Sequence, residues 1–283
     1  MTILITGSTG KTSKRLAEIL QASNTPFLIA TRRDASEIPF PSVQFDWHEA
    51  KSFENPFNTA TDISAVYLVA PETPEPAPFV NPFIDLAIAK GVKKYVLLSG
   101  TPQVKGGQFS GRIWSHLEQA NVEFAVLRPT WFMENFSELQ HQPSIKNDST
   151  IYTAAEYGKV PFVSVDDIAE AASSFLLGKI PYGNKDYVIL GPEALDHGET
   201  AEILSSVLGR QIVYVPKSVD EMVAQYTGIG LKPMFANAMP YLETLVRDGS
   251  EAKLKNDLES LIGKKGIDFR TWAEREAKGG YWG

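Results

Sequence analysis

The residues best suited to chemistry sit at a turn near the N-terminus. Thr6-Gly7-Ser8-Thr9-Gly10-Lys11-Thr12-Ser13 follows a β-favouring run at 3–6 and opens a helical pattern over 13–22. Gly7 and Gly10 permit a sharp turn and a close backbone approach to a phosphate. The amides of the following helix N-terminus then point at the anion. Gly7, Thr9, Gly10, Lys11 and Thr12 are the candidate pyrophosphate contacts, with Lys11 adding a positive charge. Ser13 stands where the third glycine of the dinucleotide fingerprint is expected, and too few residues separate the two glycines for a P-loop.

A second apolar run, 27–30, leads into Thr31-Arg32-Arg33-Asp34. A carboxylate at the end of this strand would hydrogen-bond ribose hydroxyls and suit NAD(H). A guanidinium there suits a 2′-phosphate through its forked donors. Arg32 and Arg33 favour NADP(H), with Asp34 beside them as the competing signal. Asp46 and Trp47, after the third run at 43–45, are candidates to frame the adenine; an ordinary turn aspartate and a packed tryptophan is the competing reading.

The elements that must hold these residues follow from hydrophobic periodicity. Further strand-like runs occupy 65–70, 94–99 and 124–128, with helical patterns at 82–90 and 112–120. The runs lack polar alternation, as in strands buried on both faces of a parallel sheet. The expected fold is α/β, a Rossmann doubly wound parallel sheet with a small α/β C-terminal substrate lobe. Residues 1–150 would form mainly the nucleotide-binding core. Residues 151–283 would supply the remaining core elements and the lobe, interleaved into one compact unit. In that second part a helix is expected over 163–177, strands at 160–162, 187–190 and 212–215, and a helix over 199–208 ending at Gly209. The loops at 71–78, 103–111 and 129–149 read as irregular and would follow strand C-termini, where ligands of such sheets bind.

Composition narrows the function classes. With no cysteine, the chain has no disulfide, thiolate metal site or cysteine nucleophile. Its four histidines, at 48, 116, 141 and 197, lack metal-ligand spacing, so no metal is expected. No Gly-x-Ser-x-Gly elbow occurs. A net charge of −7 without a basic stripe argues against nucleic acid. The absence of a long apolar run or an N-terminal signal pattern reads as a cytoplasmic protein without membrane attachment. The helical second half could pack in a homodimer.

Four blocks carry a family resemblance: Thr6 to Thr12; Leu98-Ser99-Gly100; Leu127-Arg128-Pro129-Thr130-Trp131-Phe132-Met133-Glu134-Asn135-Phe136; and Val160 to Ala169. In order and spacing the chain resembles the NmrA-like branch of the atypical short-chain dehydrogenases. Within that branch it looks like the fungal ergot-alkaloid reductases that make agroclavine or festuclavine by reducing an iminium. The resemblance implies NADPH, with nicotinamide contacts at Ala70-Pro71, Ser99-Gly100 and Pro129 to Phe132, and with Trp131 among them.

Relatives of this kind commonly use a Tyr and a Lys spaced four apart on the helix after the fifth strand. If Glu118 aligns with the glutamate that follows the lysine, the pair here becomes Ser110 and Trp114, and the usual proton donor is missing. Iminium reduction needs no proton at the reacting carbon, because hydride neutralises a charge the nitrogen already carries. Positioning and water exclusion are then the protein's tasks. Ser99, Trp131 and Glu134 are the catalytic candidates, and Phe132, Phe136 and Tyr157 the substrate candidates, with aromatic faces suited to a cation. Simple packing competes for the aromatic residues, and a structural role for Glu134. His116 as a proton donor and Tyr152 as a site residue compete with surface roles, and Asp166-Asp167 reads as a helix cap. The function expected is reduction of a bulky imine or iminium, an indole alkaloid intermediate. The alternatives are a reductase that also closes a ring by cycloaddition, and a non-catalytic NADP(H) sensor.

Overall fold

The computed structural model describes residues 1–8, 10–34 and 37–283. In chain order the elements of the first half are β1 (Thr2–Ile5), α1 (Lys11–Ala22), β2 (Phe27–Thr31), β3 (Ser42–Gln44), α2 (Asn55–Thr59), β4 (Ile63–Leu68), α3 (Ala77–Ala89), β5 (Lys94–Leu98), α4 (Gly111–Gln119) and β6 (Glu123–Pro129). There follow α5 (Gln142–Asp148), β7 (Thr150–Thr153), α6 (Val165–Leu176), β8 (Lys185–Ile189), α7 (His197–Leu208), β9 (Val213–Pro216), α8 (Val219–Gly228), α9 (Pro233–Arg247), α10 (Leu258–Ile262) and α11 (Phe269–Lys278).

Two compact units share the chain. The first comprises residues 1–129, 165–189 and 260–263; the second comprises 130–164, 190–259 and 264–283. The chain first passes between them at 129/130, against the boundary at 150 read from the sequence, and it crosses back for α6 and β8.

In the first unit seven strands form one sheet in the order β3-β2-β1-β4-β5-β6-β8, and every neighbouring pair is parallel. The order reverses between β1 and β4, the switch point of a doubly wound sheet. β1 and β2 are buried along their whole length, as their unalternating apolar sequences require. α1 packs on α6, with Arg15 Nε 2.8 Å from Asp166 Oδ1, so Asp166 joins two helices as well as opening α6. Below β3 and β4 an aromatic nest of Phe45, Trp47, Phe53, Phe57 and Phe83 fills the core.

The second unit holds a two-stranded parallel sheet of β7 and β9 with helices around it. Its core gathers Phe136, Phe162, Phe269, Trp272 and Trp282. Among them lie His141 and His197, with ring centroids 5.8 Å apart. α7 begins at a capping box of Asp196 and Glu199 and ends at Gly209, whose φ is +65°.

Three sequence expectations change. Residues 160–162 are not a strand: Val160 makes a single bridge to Leu195, and Pro161 has no N–H to extend a ladder. Its carbonyl instead accepts from Gly191 N at 2.8 Å. α3 starts at Ala77, five residues before the expected start at 82, with Pro78 in the first turn, where a missing N–H costs nothing, and Pro82 inside the helix. The stretch 129–149 contains a 3₁₀ turn, Met133–Asn135, and α5, so it is less irregular than expected.

Candidate functional site

The turn after β1 fits an anion. Gly7 has φ +70°, and a Cβ on it would lie 2.6 Å from Val69 Cβ, so both conformation and space require glycine there. Gly10 N donates to Gly7 O at 2.8 Å and closes the turn. α1 opens on Gly10, which supplies no side-chain cap, and its first turn carries no acidic residue. A phosphate would therefore meet the positive end of a twelve-residue helix undiluted by a carboxylate. Ser13, in place of the third glycine, is fully buried and donates from Oγ to Thr6 O at 2.9 Å, tying the helix to the strand by a hydrogen bond. Thr6 Oγ1 in turn accepts from Val69 N at 2.8 Å, which sets the end of β4 against the same turn. Thr9 lies outside the described residues.

The end of β2 is joined to this turn. Ser8 Oγ donates to Thr31 Oγ1 at 2.9 Å, and Arg33 N donates to the same hydroxyl at 3.0 Å. Arg32 and Arg33 are both exposed, and among the described residues neither has an ion-pair partner. Asp46 and Trp47 have local employment. Asp46 Oδ1 accepts from His48 N at 2.9 Å, and the Trp47 ring packs edge-on against Phe45 at 4.8 Å and Phe83 at 5.4 Å.

On the other side of the switch point, Ala70 and Pro71 directly follow Val69, and Ala70 packs on the core of the first unit. The C-terminal ends of β5 and β6 are locked together. Ser99 N donates to Leu127 O at 2.8 Å, and Thr101 N donates to Pro129 O at 3.0 Å, which brings Ser99, Gly100 and Pro129 to one place. Arg128 reinforces it, donating to Asp186 Oδ2 at 2.7 Å and to Thr101 O at 2.6 Å. Sequence reasoning quoted Arg128 only as part of a motif; its role depends on strand order, which brings β8 beside β6.

Ser110 stands at the start of α4. Its Oγ donates to Ser99 Oγ at 2.7 Å. Gln103, missed by sequence reasoning, completes the group. Its Oε1 accepts from Ser110 N at 3.1 Å and from Ser99 Oγ at 3.3 Å, and it lies against Ser110 Oγ. Trp114 is buried on the core side of α4. His116 pairs with Asp85 of α3 at 2.7 Å.

The remaining candidates belong to the second unit. Trp131 and Phe132 are partly exposed, and their backbone is held by Val163 N donating to Trp131 O at 3.0 Å and Met133 N donating to Val163 O at 2.9 Å. Glu134 is fully buried; its Oε1 accepts from Ser164 Oγ at 3.0 Å and Trp272 Nε1 at 3.1 Å. That is the arrangement of a structural acceptor. Phe136 is fully buried among Phe162, Phe269 and Trp272, where it fills the core. Tyr157 is 72% exposed and reaches only the edge of the Tyr214 ring. Tyr152 lies under the Lys217 ammonium, 4.8 Å from its ring centre. Among the described residues no helix is long and apolar enough to cross a membrane.

Known proteins share both the sequence and the fold. No protein-family profile matches the chain. A festuclavine synthase of Penicillium roqueforti is 39% identical over 289 residues, covering 98% of each chain. An agroclavine dehydrogenase of Claviceps purpurea is 38% identical over 284 residues, covering 98% of this chain and 97% of its own. Among solved structures, an NADPH-dependent quinone oxidoreductase of Escherichia coli complexed with NADPH superposes with TM-score 0.79 at 21% identity, over 96% of this chain and 99% of that one. A triphenylmethane reductase of Citrobacter complexed with NADP(H) gives 0.79 at 19%, over 98% and 100%. The two structures show the shared Rossmann fold. The chain belongs to the family of the festuclavine synthases and agroclavine dehydrogenases.

Proposed function

We propose that this chain is an NADPH-dependent reductase of a bulky imine or iminium in alkaloid biosynthesis. The single observation that carries the reading is the group at the end of β5: two serine hydroxyls and a carboxamide are joined there by hydrogen bonds, and none of them is a ready acid. Neutral hydroxyls and an amide do not supply an acid matched to a ketone's oxyanion near neutral pH. An iminium makes no such demand, so this equipment suits it better than a ketone. The names of the relatives, festuclavine synthase and agroclavine dehydrogenase, support an alkaloid substrate.

The Gly7–Lys11 turn would hold the pyrophosphate against the α1 N-terminus, and Arg32 and Arg33 the 2′-phosphate. Ala70, Pro71, Ser99, Gly100 and Pro129 would line the nicotinamide end. NADPH, when bound, supplies the hydride. The chain's own work is to fix that end and to keep it dry. Trp131, Phe132 and Tyr157 are the side chains we assign to the substrate, since they retain exposed aromatic surface while Phe136 does not.

The test is NADPH oxidation followed by absorbance with a panel of cyclic iminium ions and matched ketones. Turnover of iminium ions with little on ketones supports the reading. Ketone turnover at equal rate overturns the substrate class. Tight NADPH binding with no turnover across the panel favours a sensor.

A further inference from the structure

Gln103 sits in the glycine-rich loop after β5, and its backbone N donates to Gly100 O at 3.0 Å, which folds the loop back over the strand end. The orientation of its carboxamide is determined by its neighbours. Ser110 N, a donor and nothing else, lies 3.1 Å from Oε1. Turning the amide over would set an NH₂ against that N–H, so the oxygen must face Ser110. The two serine hydroxyls reach the same oxygen, at 3.3 Å for Ser99. Every acceptor position on Gln103 is therefore used, and its NH₂ group is forced to the opposite side.

That side is Gly100. A Cβ placed on Gly100 would lie 3.6 Å from Gln103 Nε2 and 3.8 Å from Pro129 O. The amide nitrogen thus stands over a residue without a side chain. Among the described residues no acceptor takes either of its two protons. The Gln103 side chain is half-buried, and its NH₂, aimed by Ser110 N and a serine hydroxyl and lacking a protein acceptor among the described residues, can donate to a ligand oxygen. In a doubly wound sheet the dinucleotide crosses the switch point. Its adenosine half lies toward β2, and its nicotinamide half lies toward β4, β5 and β6. The group facing Nε2 is then the nicotinamide carboxamide, whose carbonyl oxygen is an acceptor.

We infer that Gln103 donates from Nε2 to the carbonyl oxygen of the nicotinamide carboxamide, and that Ser110 and Ser99 serve to aim it. This rests on the NADPH reading above. It also gives the serine pair a positioning role in place of an acid one.

Gln103→Glu isolates the donor. The carboxylate keeps an acceptor for Ser110 N and both hydroxyls but has no proton to give. Calorimetric titration should use two probes on wild type and variant: NADPH, and 2′,5′-ADP, which carries the adenosine end and no nicotinamide. The expected result is NADPH weakened about tenfold, the loss of one hydrogen bond, with 2′,5′-ADP within about twofold of wild type. Gln103→Leu, without the added charge, should weaken NADPH at least as much. Unchanged NADPH affinity in Gln103→Glu overturns the inference. So does equal weakening of both probes, which marks a general disturbance of the fold. Wild type that binds neither probe instead refutes the cofactor reading itself.

Discussion

Three buried groups of the second unit, Glu243, His141 and His197, bind protons differently in the folded and unfolded chain. Glu243 is 2% exposed and takes hydrogen bonds from Ala154 N at 2.7 Å and from the Tyr226 hydroxyl. Burial raises its pKa from 4.5 to about 7, with those two donors offsetting part of the shift. His141 and His197 are pushed the other way. Burial depresses both, His197 to about 3 from 6.5, and charge on His197 further disfavours a proton on His141. For Glu243 the folded chain binds the proton more tightly than the unfolded chain. Its contribution is full below pH 4.5 and is lost as pH rises through 7, at about 1.4 kcal/mol per unit and about 3 kcal/mol in all. For each histidine the unfolded chain binds the proton more tightly. Stability is full above 6.5 and is lost as pH falls toward the depressed value, again at about 1.4 kcal/mol per unit for each.

Between pH 4.5 and 6.5 the two histidines outweigh the glutamate and their joint contribution rises with pH; of the three, above 6.5 the glutamate alone still changes, and its contribution falls. The three groups together place a maximum near pH 6.5. Glu243→Gln removes the falling arm, because glutamine can turn its oxygen to Ala154 N and its NH₂ to the Tyr226 oxygen. Thermal unfolding followed by circular dichroism should show the variant gaining on wild type by about 3 kcal/mol between pH 4.5 and 8, a relative shift of roughly 5–10 °C. A variant whose difference from wild type is the same at both pH values refutes the burial argument for Glu243.

Arg32→Ala should weaken NADPH about 10- to 100-fold, the loss of a charge-assisted contact to the 2′-phosphate, and leave NADH unchanged by calorimetry; equal loss for both would remove Arg32 from that role. Gly7→Ala should abolish binding of both nucleotides and lower the melting temperature, since alanine costs about 1–2 kcal/mol at the positive φ before Val69 is displaced. Normal nucleotide affinity in this variant would refute the cradle. Phe136→Ala should destabilise by about 3–5 kcal/mol in urea unfolding, as a core truncation does. Tyr157→Ala should stay within about 0.5 kcal/mol of wild type and raise KM for an iminium substrate; the opposite pattern would reverse the assignment of the two rings.

What could be read from the sequence, and what could not, divides by the range of the interaction. The sheet was legible because its central strands declare their two-sided burial in four to seven consecutive residues, as in Thr2–Ile5 and Glu123–Pro129. The phosphate turn was legible for the same reason: Gly7, Gly10 and the helix they open are neighbours in the chain. Glu134 and Phe136 were not, because their burial depends on Trp272, far along the chain, and a glutamate in a loop gives no local sign that an indole will cover it. Val160 to Phe162 misled because three apolar residues look like a strand until Pro161 is asked for an N–H. Gln103 lies between these cases. It is only four residues from Ser99, yet one polar residue in a loop of glycines carries no periodic signal. The loop must fold back before its carboxamide meets Ser110. The two serines are eleven residues apart in the chain, and their hydroxyls lie 2.7 Å apart only because the loop between them folds back. Both hydroxyls lean on one carboxamide, a convergence that no local pattern in the sequence announces.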